Sequence, residues 1–124
     1  MNTTKSIPGQ AGHTIVIVFK SDGMGVTEVQ PLRETLARKF LALIQDAEPL
    51  PTAICFYTDG VKLVCAGSPI LAELAALEAR GVHLVICQTC LNTLGLAGQV
   101  QLGIVGGMTD IITAMWGADT VITL

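Results

Sequence analysis

The chain reads as a single α/β domain: a mainly parallel five-stranded sheet with helices on both faces. Three observations predict this. β-branched apolar runs alternate with helical patterns, short glycine-bearing turns separate them, and 124 residues suffice for one sizeable core but not for two. Residues 1–12 are polar and contain Gly and Pro, so they read as a flexible lead, with the domain expected over residues 13–124.

The elements follow in order. The run from His13 to Lys20 is almost continuously β-branched, the pattern of a strand buried on both faces. Ser21-Asp22-Gly23-Met24-Gly25 closes it with a loop whose glycine spacing fits neither phosphate-binding fingerprint. Between Glu28 and Asp46, Leu32, Leu36, Phe40, Leu43 and Ile44 recur at three- and four-residue spacing, which predicts an amphipathic helix with Pro31 in its first turn. Pro49 and Pro51 stop it, and Thr52–Tyr57 is a second strand. After a loop over residues 58–67, Ser68 as cap and Pro69 at the first helical position predict a helix that ends at Arg80-Gly81. Val82–Ile86 is a third strand. A fourth near Val100–Val105, a helix over Thr109–Trp116 and a last strand over Thr120–Leu124 complete the domain. In a parallel sheet the site lies beyond the carboxyl ends of the strands, where the loops over residues 21–27, 58–67 and 87–95 converge.

Composition limits the function. Hydrophobic residues make up 51% of the chain and charged residues only 14%, against roughly 25% in an average soluble domain, so extra surface is expected to be buried between subunits or in a membrane. The longest uncharged stretch, Gly81 to Thr109, holds six glycines and several polar side chains and does not read as a membrane span. No apolar segment precedes His13 to act as a secretory signal, so a cytoplasmic location is expected. A net charge of −3 and a pI near 5.1 argue against a nucleic-acid partner.

The candidate chemistry sits at Cys87-Gln88-Thr89-Cys90, where a buried strand runs directly into a helix start. Unpaired N–H groups and a partial positive charge there favour a thiolate, so Cys87, the first of the pair, is expected to be the exposed, reactive sulfur. Cys90 would then attack a disulfide or persulfide formed on it. Three readings compete: thiol or sulfur chemistry, a metal site, and a structural pair of buried thiols. The metal reading needs four ligands. The chain offers no second Cys-x-x-Cys or His pair, so Cys55, Cys65, His13 or His83 would have to join, and no metal or cofactor is assigned. Lys62 is a candidate cation for the thiolate, and Cys65 is either a second sulfur carrier or a core spacer. Cys55 falls mid-strand as a small core residue, and Asp22 and Asp59 are ordinary turn residues.

Several stretches carry a resemblance. Asp59-Gly60-Val61-Lys62-Leu63, Gly67-Ser68, Leu77 to Val82, Cys87-Gln88-Thr89-Cys90-Leu91, Gly95-Leu96 and Ala118 to Leu124 resemble the DsrE-like domain of the sulfurtransferase-like YedF proteins, within the DsrE/DsrF-like superfamily. The likeness is strongest over residues 52–124. It implies a compact α/β domain that assembles into trimers or hexamers and relays sulfur, or selenium, through cysteine persulfides. On this chain it assigns the thiol pair to Cys87 and Cys90 and the Gly-Val-Lys-Leu loop to residues 60–63; Lys62, Cys65, Gly60 and Thr89 are the expected supporting residues. Such proteins usually carry an N-terminal domain similar to TusA with a Cys-Pro motif. Residues 1–12 are too short for one, so a TusA-like carrier on a separate chain is the expected partner. Met24-Gly25 resembles the corresponding first loop, but Val26–Pro31 replaces the acidic, Gly-containing sequence expected there. A binding module with incidental thiols and a dithiol reductase are the alternatives.

Overall fold

The structure is a computed structural model that describes residues 12–124; apart from Gly12, the expected lead lies outside the described residues. Five strands, β1 (Ile15–Phe19), β2 (Ala53–Phe56), β3 (His83–Cys87), β4 (Ile104–Gly106) and β5 (Thr120–Thr123), form one sheet in the order β4-β3-β2-β1-β5. All four pairings are parallel. The three central strands are the β-branched runs of the sequence, and β1 and β2 are buried almost throughout because both faces of the sheet are covered at its centre.

Four α-helices connect the strands: α1 (Gln30–Leu43), α2 (Leu71–Ala79), α3 (Gln88–Thr93) and α4 (Met108–Trp116). The steps β1 to β2 to β3 to β4 run in one direction, so right-handed crossovers put their connections on one face; β4 to β5 returns across the sheet and puts α4 on the other. The first face packs Ile17, Phe19, Ile54, Phe56, Leu84 and Ile86 beneath Ala37 and Leu41 of α1 and Leu74 and Leu77 of α2. Phe19 and Phe56, partners in the β1–β2 register, stack with ring centroids 5.7 Å apart.

The second face has only α4. Nine helical residues extend about 13 Å, while five strands span about 19 Å between the outer two. The shortfall leaves a cavity of about 420 Å³ lined by Val16, Ala53, His83, Val85 and Ile104 of the sheet and by Asp110 and Ala114 of α4. Outside it, Met108, Ile112 and Trp116 form an exposed apolar stripe at four-residue spacing, with Trp116 87% exposed.

Three expectations change. The stretch after β2 is not an open loop but a 3-10 helix over Thr58–Val64, because Val61, Leu63 and Val64 turn into the core. Ser68 does not cap α2: its hydroxyl accepts from the Ile70 N–H at 3.3 Å, and the helix starts at Leu71, after the turn that bond closes. Finally, β4 is shorter than expected, since Val100 leaves it to bridge Cys65 in an isolated antiparallel contact.

Two loops are pinned at the carboxyl end of the sheet. Arg33 of α1 ties down the loop after β1, pairing with Asp22 at 2.9 Å and donating to the Thr27 carbonyl at 2.6 Å. Gly60 lies directly over the end of β1, where a Cβ would collide with the Phe19 carbonyl. Gly60→Ala is therefore expected to lower the unfolding free energy by about 1–3 kcal/mol, the usual range for forcing extra volume into a packed site, as read from urea denaturation.

Candidate functional site

β3 delivers the thiol pair. Cys87 is its last residue, paired in register with Gly106, and it serves as the residue before α3. The strand pleat turns its side chain inward, so it is only 2% exposed. Cys90, three residues on, stands in the first turn of α3 and is half-buried. The order of exposure is thus the reverse of the one expected from sequence: the second sulfur, not the first, reaches the surface. The physical reason is that Cys87 still belongs to the sheet, whereas Cys90 has left it.

The 3-10 segment after β2 supplies the other wall. Thr58, Asp59, Thr89, Cys90, Thr93 and Leu94 enclose a cavity of about 270 Å³ at the carboxyl end of the sheet. The Thr58 N–H donates to Cys90 Sγ at 3.1 Å. Thr58 has φ +49°, a left-handed conformation that costs a β-branched residue about 1–3 kcal/mol. Its hydroxyl lies within hydrogen-bond reach of the Lys20 and Tyr57 carbonyls, which holds the residue in place. Thr58 carries no local signal, since nothing in a Tyr-Thr-Asp-Gly run announces a positive φ at the threonine.

Burial pushes the Cys90 thiol above its ordinary value. The hydrogen bond with the Cys87 thiol pushes in the same direction, the Thr58 N–H opposes it, and charge on Cys87 adds to the rise. Cys90 is therefore a thiol that accepts a backbone N–H and ionises late.

The remaining expected residues divide. Thr89 lines the Cys90 cavity, while Gly60 packs against the Phe19 carbonyl at the end of β1 and is not part of the cavity lining. Lys62 does not reach the sulfur: its ammonium pairs with Asp59 at 3.1 Å and so neutralises the one carboxylate on the cavity wall. Cys65 is buried, donates to the Val61 carbonyl at 3.2 Å and has its thiol pushed up by burial. Lys62 and Cys65 border a separate cavity of about 270 Å³ with Asp22, Glu34 and Ser68. The loop over residues 21–27 contributes Asp22 to that second cavity rather than to the thiol pair, so two of the three expected loops build the Cys90 site. Among the described residues no group of three or more His, Cys, Asp and Glu is placed to hold a metal ion.

The model of the DsrE/DsrF-like family matches residues 3–124. The chain belongs to that family. Solved structures of similar fold include the YchN protein of E. coli, at 23% identity and TM-score 0.67, covering 90% of this chain and 99% of that one. MTH1491 from Methanobacterium thermoautotrophicum, a protein of unknown function, matches at 19% identity and TM-score 0.65 over 90% and 99% of the two chains. BT1422 from Bacteroides thetaiotaomicron, also of unknown function, matches at 13% and 0.62 over 89% and 94%. No curated protein matches the chain. The DsrE/DsrF-like assignment agrees with the all-parallel sheet and ties the chain to a family associated with sulfur relay. No helix among the described residues is long and apolar enough to cross a membrane.

The buried thiols give a pH test of the fold. Burial raises Cys55 from the ordinary thiol value of 9.0 to about 11. Between those values the folded chain holds a proton on Cys55 that the unfolded chain has released, so the contribution of this group to stability is constant below about pH 9 and falls as pH rises toward 11. Cys55→Ala is expected to flatten part of that fall, whatever it costs at neutral pH. Urea midpoints compared at neutral and alkaline pH read the difference.

Proposed function

We propose that this chain relays sulfane sulfur through a cysteine persulfide, with Cys90 meeting partners and Cys87 as the thiol behind it. The observation that carries the reading is Cys90 itself: a half-buried sulfur beside its own cavity, with a backbone N–H aimed at it and a second, buried thiol three residues before it. The sequence placed acceptance on Cys87; its 2% exposure moves that role to Cys90 and leaves Cys87 as the second thiol. The order and spacing of Gly60–Leu63 and Cys87–Leu91 support a YedF-like member, for which a selenium equivalent of the same transfer applies.

In loading, the Cys90 thiolate attacks the terminal sulfur of a donor persulfide. The donor's S–S bond breaks, the donor leaves as a thiolate and Cys90 carries S–SH. In discharge, an acceptor thiolate attacks that terminal sulfur, the new bond breaks and Cys90 returns as thiolate. No net oxidation occurs in either step. Where no acceptor arrives, the Cys87 thiolate attacks Cys90 Sγ, hydrosulfide leaves and a Cys87–Cys90 disulfide closes. The partner of this cycle is a persulfide-bearing carrier of the TusA-like kind, in the cytoplasm. Self-association through Met108, Ile112 and Trp116 covers the second face of the sheet.

Intact-mass spectrometry after exposure to inorganic polysulfide tests the relay. Cys87→Ser is expected to gain one sulfur atom and keep it, wild type to gain one and then release it as the Cys87–Cys90 disulfide closes, two hydrogens lighter than at the start, and Cys90→Ser to gain none. Loading is expected to accelerate from neutral pH through the alkaline thiol range, because the raised Cys90 value keeps the thiolate scarce below it. Loading of Cys90→Ser at the wild-type rate would overturn the assignment, and a Cys87→Ser chain that gains no sulfur while wild type loses two hydrogens would identify a dithiol reductase. For self-association, Trp116→Glu is expected to shift sedimentation to smaller species.

A further inference from the structure

Among the described residues, Thr58 is the only one other than glycine with a positive φ, and it is the residue whose N–H reaches Cys90. We propose that Thr58 is a positioning residue for the reactive sulfur. Its constrained backbone fixes one N–H on Cys90 Sγ and stabilises negative charge there, both when the thiol ionises and when Cys90 departs as thiolate from a persulfide.

Three features aim that donor. The Tyr57 N–H donates to the Phe19 carbonyl at 3.2 Å, fixing the residue before it. The Thr58 hydroxyl, with one proton to give, lies between the Lys20 and Tyr57 carbonyls. Gly60, two residues on, has no room for a Cβ above β1, so the turn cannot slide toward the sheet. The bond is also needed where it is. Of the groups around Cys90, Asp59 on the cavity wall is paired with Lys62, which keeps that ammonium from the sulfur, and Cys87 raises the energy of a Cys90 thiolate. The Thr58 N–H acts in the opposite direction, toward the anion.

The effect on discharge is direct. As the acceptor thiolate bonds to the terminal sulfur and the Cys90–sulfur bond breaks, the electron pair returns to Cys90 Sγ, where the N–H already points. That half of the inference rests on the relay reading; the effect on ionisation does not.

The experiment replaces the Thr58 N–H by oxygen, by incorporating the α-hydroxy acid that corresponds to threonine, and leaves the side chain intact. Iodoacetamide alkylation at Cys90, located by fragment mass spectrometry, is followed against pH. The midpoint is expected to rise by roughly half a unit to one unit, the size of one hydrogen bond to a charged group at a partly exposed site. Thr58→Ser, which keeps hydroxyl and N–H, is expected to titrate as wild type. An unchanged or lowered midpoint in the ester chain overturns the proposal. Should the ester chain not fold, the amide is followed in the wild-type chain: the Thr58 N–H resonance is expected to titrate with the Cys90 alkylation midpoint, and an amide that does not respond to Cys90 ionisation overturns the proposal. Failure of the relay reading is separately visible, as absence of added sulfur on every chain while the alkylation shift remains.

Discussion

The carbonyl of Phe19, at the end of β1, supports the whole site. It accepts the Tyr57 N–H at 3.2 Å, and Gly60 is pressed against it with no space for a side chain. Between those two contacts the chain has little freedom, and Thr58 takes a conformation that a free threonine avoids by about 1–3 kcal/mol. A single hydrogen bond of about 1 kcal/mol does not offset that cost. The offset comes from further along, where Val61, Leu63 and Val64 are buried in the core and hold the 3-10 helix as a unit. Hydrophobic burial three to six residues away thus sustains a strained backbone donor at the surface.

The four cysteines show how depth separates groups of identical chemistry. Cys55 lies at the centre of the sheet, and its value of about 11 makes it inert at neutral pH. Cys65 is closed in by the Val61 carbonyl, and Cys87 is held inward by the strand pleat. Cys90 has left the sheet and is the one of the four that is not fully buried. A strand-to-helix junction with three-residue spacing thus separates one sulfur that reaches the surface from one that stays protected.

The two faces of the sheet are unequal for a topological reason. Three successive steps in one direction stack α1 and α2 on one face, and the single return places α4 alone on the other. A nine-residue helix cannot cover five strands, so Ile104 of the sheet remains exposed, and Ile112 and Trp116 on the outer side of α4 add to the apolar surface there. The low charged content already visible in the composition has its structural counterpart on this face.

Much of the fold was legible from local pattern. β-branched runs located β1, β2 and β3, the three- and four-residue spacing of Leu36, Phe40 and Leu43 located α1, and their alternation set the parallel sheet, because each signal is a short-range property of the chain. The Cys-x-x-Cys spacing and its position after a strand were likewise local, so the sequence by itself determined that a thiol pair stands at the carboxyl edge of the sheet. Which thiol faces outward, which cation stays away from it and which N–H points at it were settled only by tertiary contacts. The turn of Cys87 into the sheet, the pairing of Lys62 with Asp59 and the pressure of β1 on the Thr58 turn join residues that local pattern cannot relate, since each depends on where separate elements meet in space.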